Sequence, residues 1–337
     1  MFGRYAVAFF LVISSSIGVL NASAGDADPR YRSCVRQCEE TGYCKFSSDE
    51  VLINHPRDML ESLYVQWKKW NCQSDCRYNC ILDREKEREL FNDGPVKYHG
   101  KWPFKRIYGI QEPASVAFSA LNLAMHFYGW KSFFTLLKNK FHKQVGKKAS
   151  YEYAVLWHIF GLLSVNSWFW SAVFHTRDFE LSERLDYSSA VALIGYSLIL
   201  AMLRSFNVRD EATRVMLSAP LIAFVITHIL FLNVFKLDYG WNMKVCVAMA
   251  VAQLTIWQVW GFISRHPSRW KLRFVVLACG LAMLLEIYDF PPYQGLIDAH
   301  ALWHATTIPL TYLWWSFIKD DAEFLTSKHV KKSKKSK

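Results

Sequence analysis

The chain has few of the sequence signatures that identify soluble enzymes. Its 15 glycines are scattered over 337 residues, and none forms a phosphate-cradling loop or a dinucleotide-binding fingerprint. It has no HExxH motif of the soluble zinc proteases and no evident internal repeat. Ser171 does not lie in the G-x-S-x-G elbow of the α/β-hydrolases. These absences exclude the common nucleotide-binding folds and two familiar hydrolase motifs.

Acidic residues are also scarce: 29 aspartates and glutamates face 40 lysines and arginines, which gives a formal net charge of +11. A charge of this sign is typical of proteins that bind nucleic acids or acidic lipids. Here, however, the basic residues cluster in alternate connections between apolar segments. That distribution indicates membrane orientation, because cytosolic connections are enriched in lysine and arginine. We therefore predict no nucleic-acid partner.

The first 24 residues resemble a cleaved secretory signal. Arg4 precedes an apolar run at 5–20, and the segment ends in Ala-Ser-Ala at 22–24. An uncleaved membrane anchor is the alternative, although the apolar run is short for a span. The pattern predicts entry into the secretory pathway.

Six of the eight cysteines follow this segment, in a polar region that extends from 25 to about 106. The compartment beyond a secretory signal is oxidising, so disulfides are the expected state, with a structural zinc site as the alternative. Neighbours four apart on one helix face fit disulfide geometry poorly, and we therefore predict bridges between two clusters. Two further cysteines in apolar spans should behave as small hydrophobic residues. The clusters are Cys34, Cys38, Cys44 and Cys72, Cys76, Cys80; the further two are Cys246 and Cys279.

Apolar and aromatic segments dominate the rest of the chain, and a bilayer span needs about 20 such residues. Seven segments qualify and predict an all-α membrane protein, a seven-transmembrane helix bundle that follows a small disulfide-rich N-terminal lumenal domain. With the basic connections in the cytosol, the N-terminal region is lumenal and the C-terminus cytosolic, as an odd number of spans requires. The segments are 114–137, 152–174, 187–206, 214–235, 241–263, 270–288 and 299–318.

The resulting division of the chain has four parts. They are a signal peptide at 1–24, a cysteine-rich lumenal domain at 25–106, a seven-span bundle at 107–320 and a basic cytosolic tail at 321–337. Lys334 and Lys335 are fourth and third from the C-terminus, which resembles the dilysine address for retrieval to the endoplasmic reticulum. We predict contact between these lysines and a retrieval coat. A basic tail attracted to anionic headgroups is the alternative.

Ionisable groups at membrane depth are costly and usually functional. Ser171 and His175 lie four residues apart on one helix face at the end of the second predicted span. Asp186 follows across a short connection, at the start of the third span. His300 and His304 open the seventh span, one helical turn apart. The predicted topology places all five residues at the lumenal ends of their helices.

This combination of residues predicts a catalytic zinc site, because three neutral imidazoles can hold the metal and leave one coordination position open. The ligands would be His175, His300 and His304, and the metal would lower the pKa of a bound water to near 7. Asp186 could transfer a proton, and the Ser171 hydroxyl could support a developing oxyanion. A serine triad of Ser171, His175 and Asp186 is the alternative, but it leaves the two histidines of the seventh span without a role.

Other polar residues are weaker candidates. His228 is a rival ligand, because it lies within two turns of the lumenal end of the fourth span. Glu112, Glu286 and Asp289 could line the cavity, but we interpret them as helix-end groups that face water. His126, in the middle of the first span, is interpreted as a packed polar residue.

The strings around these positions resemble a known family. The histidine, serine and aspartate spacing is similar to that of the CREST superfamily of seven-span membrane hydrolases, which includes alkaline ceramidases and adiponectin receptors. A fuller resemblance is to the post-GPI-attachment-to-proteins factor 3 (Per1-like) family, and it covers nearly the whole mature chain. It rests on the cysteine-rich head and on the strings Asn-Ser-Trp-Phe-Trp-Ser at 166–171, His-Thr-Arg-Asp at 175–178 and Ile-Asp-Ala-His-Ala-Leu-Trp-His at 297–304.

The resemblance implies a phospholipase A2-type hydrolase that removes the sn-2 acyl chain of GPI anchors during lipid remodelling of GPI-anchored proteins. It implies Zn²⁺ on the three histidines, with Asp186 and Ser171 beside the metal-bound water, in the membrane of the endoplasmic reticulum or Golgi. Two alternatives remain open. One is a ceramidase-like amide hydrolase, and the other is a non-enzymatic receptor or folding factor with structural zinc.

Overall fold

The structure is a computed structural model that describes residues 23–41, 70–141 and 151–335. Several sequence predictions lie outside these residues: nearly all of the signal peptide at 1–24, Cys44, and most of the basic connection at 138–150. The chain divides into two compact units. The first comprises Met1–Pro113 and Asp289–Ala299, and the second Ala114–Tyr288 and His300–Lys337.

Two helices of the first unit carry five of the six clustered cysteines. Helix α1 extends over Pro29–Thr41 and helix α2 over Cys72–Leu90. Cysteines four apart on each helix share a face, so two pairs can bridge the helices side by side. The predicted bridging between clusters is confirmed for two pairs, with Cα atoms 5.8 Å and 5.6 Å apart. They are Cys34–Cys80 and Cys38–Cys76.

The segment Asp289–Ala299 belongs to this first unit. Asp289 accepts a hydrogen bond from the indole N–H of Trp102 at 2.8 Å and forms an ion pair with Lys97. The backbone N–H of Lys105 donates to the carbonyl of Gly295 at 2.8 Å. These bonds attach the segment to residues almost 200 positions earlier. Asp289 therefore has a structural role within the first unit.

In the described part of the second unit there are seven long helices, and each overlaps one predicted span. Among the described residues, three helices are long and apolar enough to cross a membrane: Glu180–Ser205, Glu211–Phe235 and Tyr239–Ile263. The described secondary structure is all-helical, and the chain is a multi-pass membrane protein. The seven helices are α3 (Pro113–Phe141), α4 (Ala154–Thr176), α5 (Glu180–Ser205), α6 (Glu211–Leu230, continued by a π-helical turn at Phe231–Phe235), α7 (Tyr239–Ile263), α8 (Arg269–Tyr288) and α9 (Ala299–Lys335).

Aromatic rings fill the core of the second unit. Trp157, Trp257 and Phe317 are buried in one cluster that joins α4, α7 and α9. Gly161 of α4 lies against the indole of Trp130 on α3, where an added Cβ would come within 2.6 Å of the ring. Glycine at 161 therefore lets Trp130 lie directly on the backbone of α4, which holds the helix that carries His175 close to α3.

One face of α3 is polar and buried. Asn122 donates to the backbone carbonyl of His304 at 2.8 Å and accepts from the hydroxyl of Thr307 at 3.1 Å. Pro309, which lies inside α9, has no N–H and so removes one backbone bond from this stretch. Polar side chains of neighbouring helices commonly support the backbone near such prolines. The α3 face thus stabilises the turn of α9 that carries His304; its members are Ser115, Ser119, Asn122 and His126.

A buried ion pair joins α5 and α9, far along α9 from the end that carries His300 and His304. Asp321 of α9 and Arg204 of α5 form it, and both side chains are at most 5% exposed. The hydroxyl of Tyr151 donates to the same carboxylate at 2.6 Å, and the ring of His266 lies 3.5 Å from it. The neighbouring Asp320 differs, because it pairs with Lys271 and remains 32% exposed. The Asp321 carboxylate thus joins four segments of the second unit.

Candidate metal centre

Three imidazoles meet inside the second unit. The Nε2 atoms of His300 and His304 are 2.9 Å apart, and each lies 3.3 Å from Nε2 of His175. His175 and His304 are buried, and His300 is about one-third exposed. One ligand atom from each residue lies within 4.8 Å of the others, so the group could hold a metal ion.

Two of the three distances between the nitrogens, both 3.3 Å, match the spacing of ligands around a tetrahedral metal, and the third, at 2.9 Å, is shorter. Zinc–nitrogen bonds of about 2.0–2.1 Å place two tetrahedral ligands about 3.3 Å apart. Three imidazole nitrogens at that spacing repel one another unless protons or a cation lie between them. A neutral imidazole carries one N–H only, so the ring of a histidine that donates from Nδ1 presents a lone pair at Nε2. The donor set therefore suits a divalent cation that accepts nitrogen ligands.

The local structure explains why these residues meet. His175 lies in the last turn of α4. His300 and His304 lie in the first two turns of α9, four residues apart and hence on one face. Trp168 packs edge-on against His304 with ring centroids 5.1 Å apart, and Trp303 stacks on His300 at 5.6 Å. Aromatic packing thus helps to hold the rings of His300 and His304 in place.

The structure locates Ser171 and Asp186 without making either a member of the three-histidine group. Ser171 is buried one turn before His175, and its hydroxyl lies 3.0 Å from that of Ser119 on α3. Asp186 is half-buried and lies two turns into α5, because α5 begins at Glu180, seven residues before the predicted span. The catalytic roles of Ser171 and Asp186 remain predictions.

The sequence interpretation of Glu286 as a helix-end group that faces water is wrong. Its carboxylate oxygen lies 2.7 Å from Nδ1 of His300, and its side chain is only 20% exposed. Glu286 lies in the last turn of α8, at the same end of the unit as the histidines. The sequence signal that could have placed Glu286 beside the histidines was its predicted position near the end of the sixth span. That signal was insufficient because the partner lies 14 residues later on another helix.

The other histidines have separate partners. His228, the rival ligand, faces the side-chain oxygen of Asn242 at 3.1 Å and does not belong to the group. His126 is buried and accepts from the indole of Trp315 at 3.3 Å, as expected for a packed polar residue. The cluster therefore contains three of the histidines of the second unit and excludes His126 and His228.

The chain is a helical multi-pass membrane protein in which three imidazoles converge. The fold and the site together define an integral membrane protein with a candidate metal centre. The comparison with protein families then identifies the group. The family model described as the Per1-like family matches residues 62–322. The chain belongs to the Per1-like family.

Named relatives match over nearly the full length. The chain is 36% identical over 318 residues to the GPI-specific phospholipase A2-like PGAP3 of Xenopus tropicalis, covering 94% of this chain and 95% of the relative. It is 35% identical over 324 residues to the post-GPI attachment to proteins factor 3 of Drosophila melanogaster, covering 95% of each. The identity to the Homo sapiens GPI-specific phospholipase A2-like PGAP3 is 33% over 330 residues, which covers 96% of this chain and 97% of that protein.

Proposed function

We propose that the protein is a zinc-dependent phospholipase A2-type hydrolase that removes the sn-2 acyl chain of GPI anchors during lipid remodelling. The observation that carries this proposal is the convergence of His175, His300 and His304 in a membrane protein of the Per1-like family. Relatives named as GPI-specific phospholipase A2-like proteins support the substrate. In the reaction, water adds to the ester carbonyl, the bond to the sn-2 oxygen breaks, and a fatty acid and a lyso-anchor result.

In this proposal the three imidazoles hold the metal, and other side chains manage the proton and the developing charge. Bound zinc would supply a Lewis acid and lower the pKa of water at the site. Asp186 accepts a proton and returns it to the leaving oxygen. Ser171 donates a hydrogen bond to the oxyanion or orients the water. When Ser119 donates to Ser171, the Ser171 hydroxyl keeps its own hydrogen for this purpose.

The proposal includes seven spans, a disulfide-rich N-terminal lumenal domain at 25–106 and a cytosolic C-terminus. Two disulfides and the alternation of basic connections support this arrangement. The lumenal leaflet of the endoplasmic reticulum or Golgi is then the source of the substrate. Lys334 and Lys335 would bring about retrieval through a cytosolic coat. The protein partners of the enzyme are, in this proposal, GPI-anchored proteins.

The activity can be tested with purified full-length protein in detergent and a GPI anchor that carries a different acyl chain at each glycerol position. We expect release of the sn-2 fatty acid, its loss on chelation, and its recovery when zinc is restored. Mass spectrometry of the fatty acid and the lyso-anchor identifies the bond that is cut. Ceramide serves as the comparison substrate. Preferential release from ceramide, or from sn-1, would contradict the proposal.

The orientation of the site can be tested by inserting glycosylation acceptors into single connections. An acceptor in the connection at 177–179, between α4 and α5, should be glycosylated, and one at 138–150 should remain unmodified, because the basic connection is predicted to be cytosolic. The gel shift removed by a glycosidase is the measurement. The reverse pattern would place the three histidines at the cytosolic side and end the lumenal mechanism.

A further inference from the structure

Glu286 makes a short polar contact to a side chain of the histidine cluster from outside it. Its Oε2 lies 2.7 Å from Nδ1 of His300. Tyr239, the first residue of α7, also lies close enough to the Glu286 carboxylate to donate a hydrogen bond to it. The ring of Tyr239 packs against Tyr187 of α5, with centroids 5.9 Å apart. Residues from α5, α7 and α8 thus meet behind one histidine of α9.

This contact decides which nitrogen of His300 carries the proton. A carboxylate accepts only, so the nitrogen that faces it must be the N–H donor. Nδ1 of His300 is that donor, and in the neutral ring, which is the form that binds a metal, Nε2 then carries the lone pair. Nε2 is also the atom that lies 2.9 Å from His304 and 3.3 Å from His175. The same contact fixes the rotation of the ring, because moving the lone pair away from the cluster would break the bond to Glu286.

Glu286 does not occupy the position of a fourth ligand. Its carboxylate contacts Nδ1, on the far side of the His300 ring, whereas the three Nε2 atoms converge on the near side. The carboxylate can therefore act on the metal only through the imidazole. His304 offers a contrast, because its buried Nδ1 has no hydrogen-bond partner among the described residues. Its orientation depends instead on Trp168 and on the bond from Asn122 to its backbone.

We propose that Glu286 is a positioning residue that fixes the tautomer and orientation of His300 for metal binding, and that Tyr239 holds Glu286 in place. This inference rests on the metal-binding part of the proposed function. A carboxylate behind a histidine ligand also increases the basicity of the imidazole, and such partners typically contribute about 10- to 100-fold to metal affinity.

The test measures Zn²⁺ and Co²⁺ affinity of the purified full-length chain by competition with a chelator. Glu286→Gln should weaken binding about 10- to 100-fold, because the amide lacks the charge and can present its own N–H to the ring. The visible spectrum of the Co²⁺ form should change as His300 loses its fixed orientation. Tyr239→Phe keeps the carboxylate and should weaken binding roughly 2- to 10-fold, the equivalent of one hydrogen bond. Glu180→Gln, on an exposed carboxylate paired with Arg184, is the matched control and should leave both readouts unchanged.

The outcomes separate this inference from the proposed function. Wild-type affinity and an unaltered Co²⁺ spectrum in folded Glu286→Gln protein would overturn the positioning role and leave the hydrolase proposal standing. Metal binding that responds to Glu286→Gln, in a wild-type protein that releases no fatty acid, would overturn the hydrolase proposal and support the positioning role. A wild-type chain that takes up no metal would overturn both. If Glu286→Gln does not fold, the same criteria apply to Tyr239→Phe.

Discussion

Replacing His300 by alanine should abolish metal binding and fatty-acid release together. The substitution removes one of three imidazoles and leaves His175 and His304 as a two-nitrogen set, too few for a site of the catalytic zinc type. We expect less than one metal ion for every ten chains after dialysis, and no release above the uncatalysed background. The measurements are elemental analysis and mass spectrometry on the same preparation. His158→Ala is the control, because His158 is bonded to Trp130 and lies outside the cluster.

The same experiment distinguishes metal chemistry from a serine triad. If Ser171 donates to an oxyanion, Ser171→Ala should reduce the rate about 10²- to 10³-fold and leave metal content intact. A serine nucleophile would reverse the order, so that Ser171→Ala is inactive and His300→Ala retains most activity. Full activity in metal-free His300→Ala protein would exclude the metal hypothesis. Inactivity with metal fully retained would show that His300 acts outside the ligand set.

Replacing Asp321 by alanine should destabilise the protein by about 3–5 kcal/mol. The change leaves the guanidinium of Arg204 buried without its partner, which is the costly way to break a buried ion pair. It also removes the acceptor of the Tyr151 hydroxyl. The measurement is reversible unfolding in mixed detergent micelles, followed by circular dichroism.

The adjacent residue supplies the control for this prediction. Asp320→Ala removes the same chemical group from the same helix turn, but the pair with Lys271 is partly exposed and should be worth about 1 kcal/mol at most. Replacing both buried partners, by Arg204→Met with Asp321→Leu, should recover much of the stability because no unpaired charge remains. Equal losses for Asp320→Ala and Asp321→Ala would show that burial of the pair is not the source of the effect.

Much of the helical organisation could be predicted from the sequence, because apolar length and alternating charge are local properties. Each predicted span overlaps one helix of the second unit. The start of α5 could not be predicted in this way. Its first turns are polar, and the helix begins there because the hydroxyl of Ser182 accepts a hydrogen bond from the backbone N–H of Phe179 at the helix start. Apolar length carries no information about that bond.

The metal-ligand candidates could be predicted because histidines four apart on one helix, and a third at a matching helix end, are visible in the chain. The residues that hold these histidines in place could not be predicted. Ser119, Asn122 and Glu286 act through single contacts between helices, and those contacts depend on how each helix is rotated about its axis. Span prediction leaves this rotation undetermined, because lipid and protein interior can both accept apolar residues. From the sequence alone, a glutamate near a helix end could therefore face either water or a neighbouring helix.

The close contact between Gly161 and Trp130 also limits how relatives of this chain can diverge. A residue larger than glycine at 161 would collide with the indole, whereas a smaller residue at 130 would leave a gap against α4. Neither position can change alone without cost, so the two should be inherited as a pair. Relatives that carry alanine or serine at 161 should carry a smaller side chain at 130. Covariation between positions 130 and 161 in an alignment of relatives would then indicate that α3 and α4 remain in close contact throughout the family.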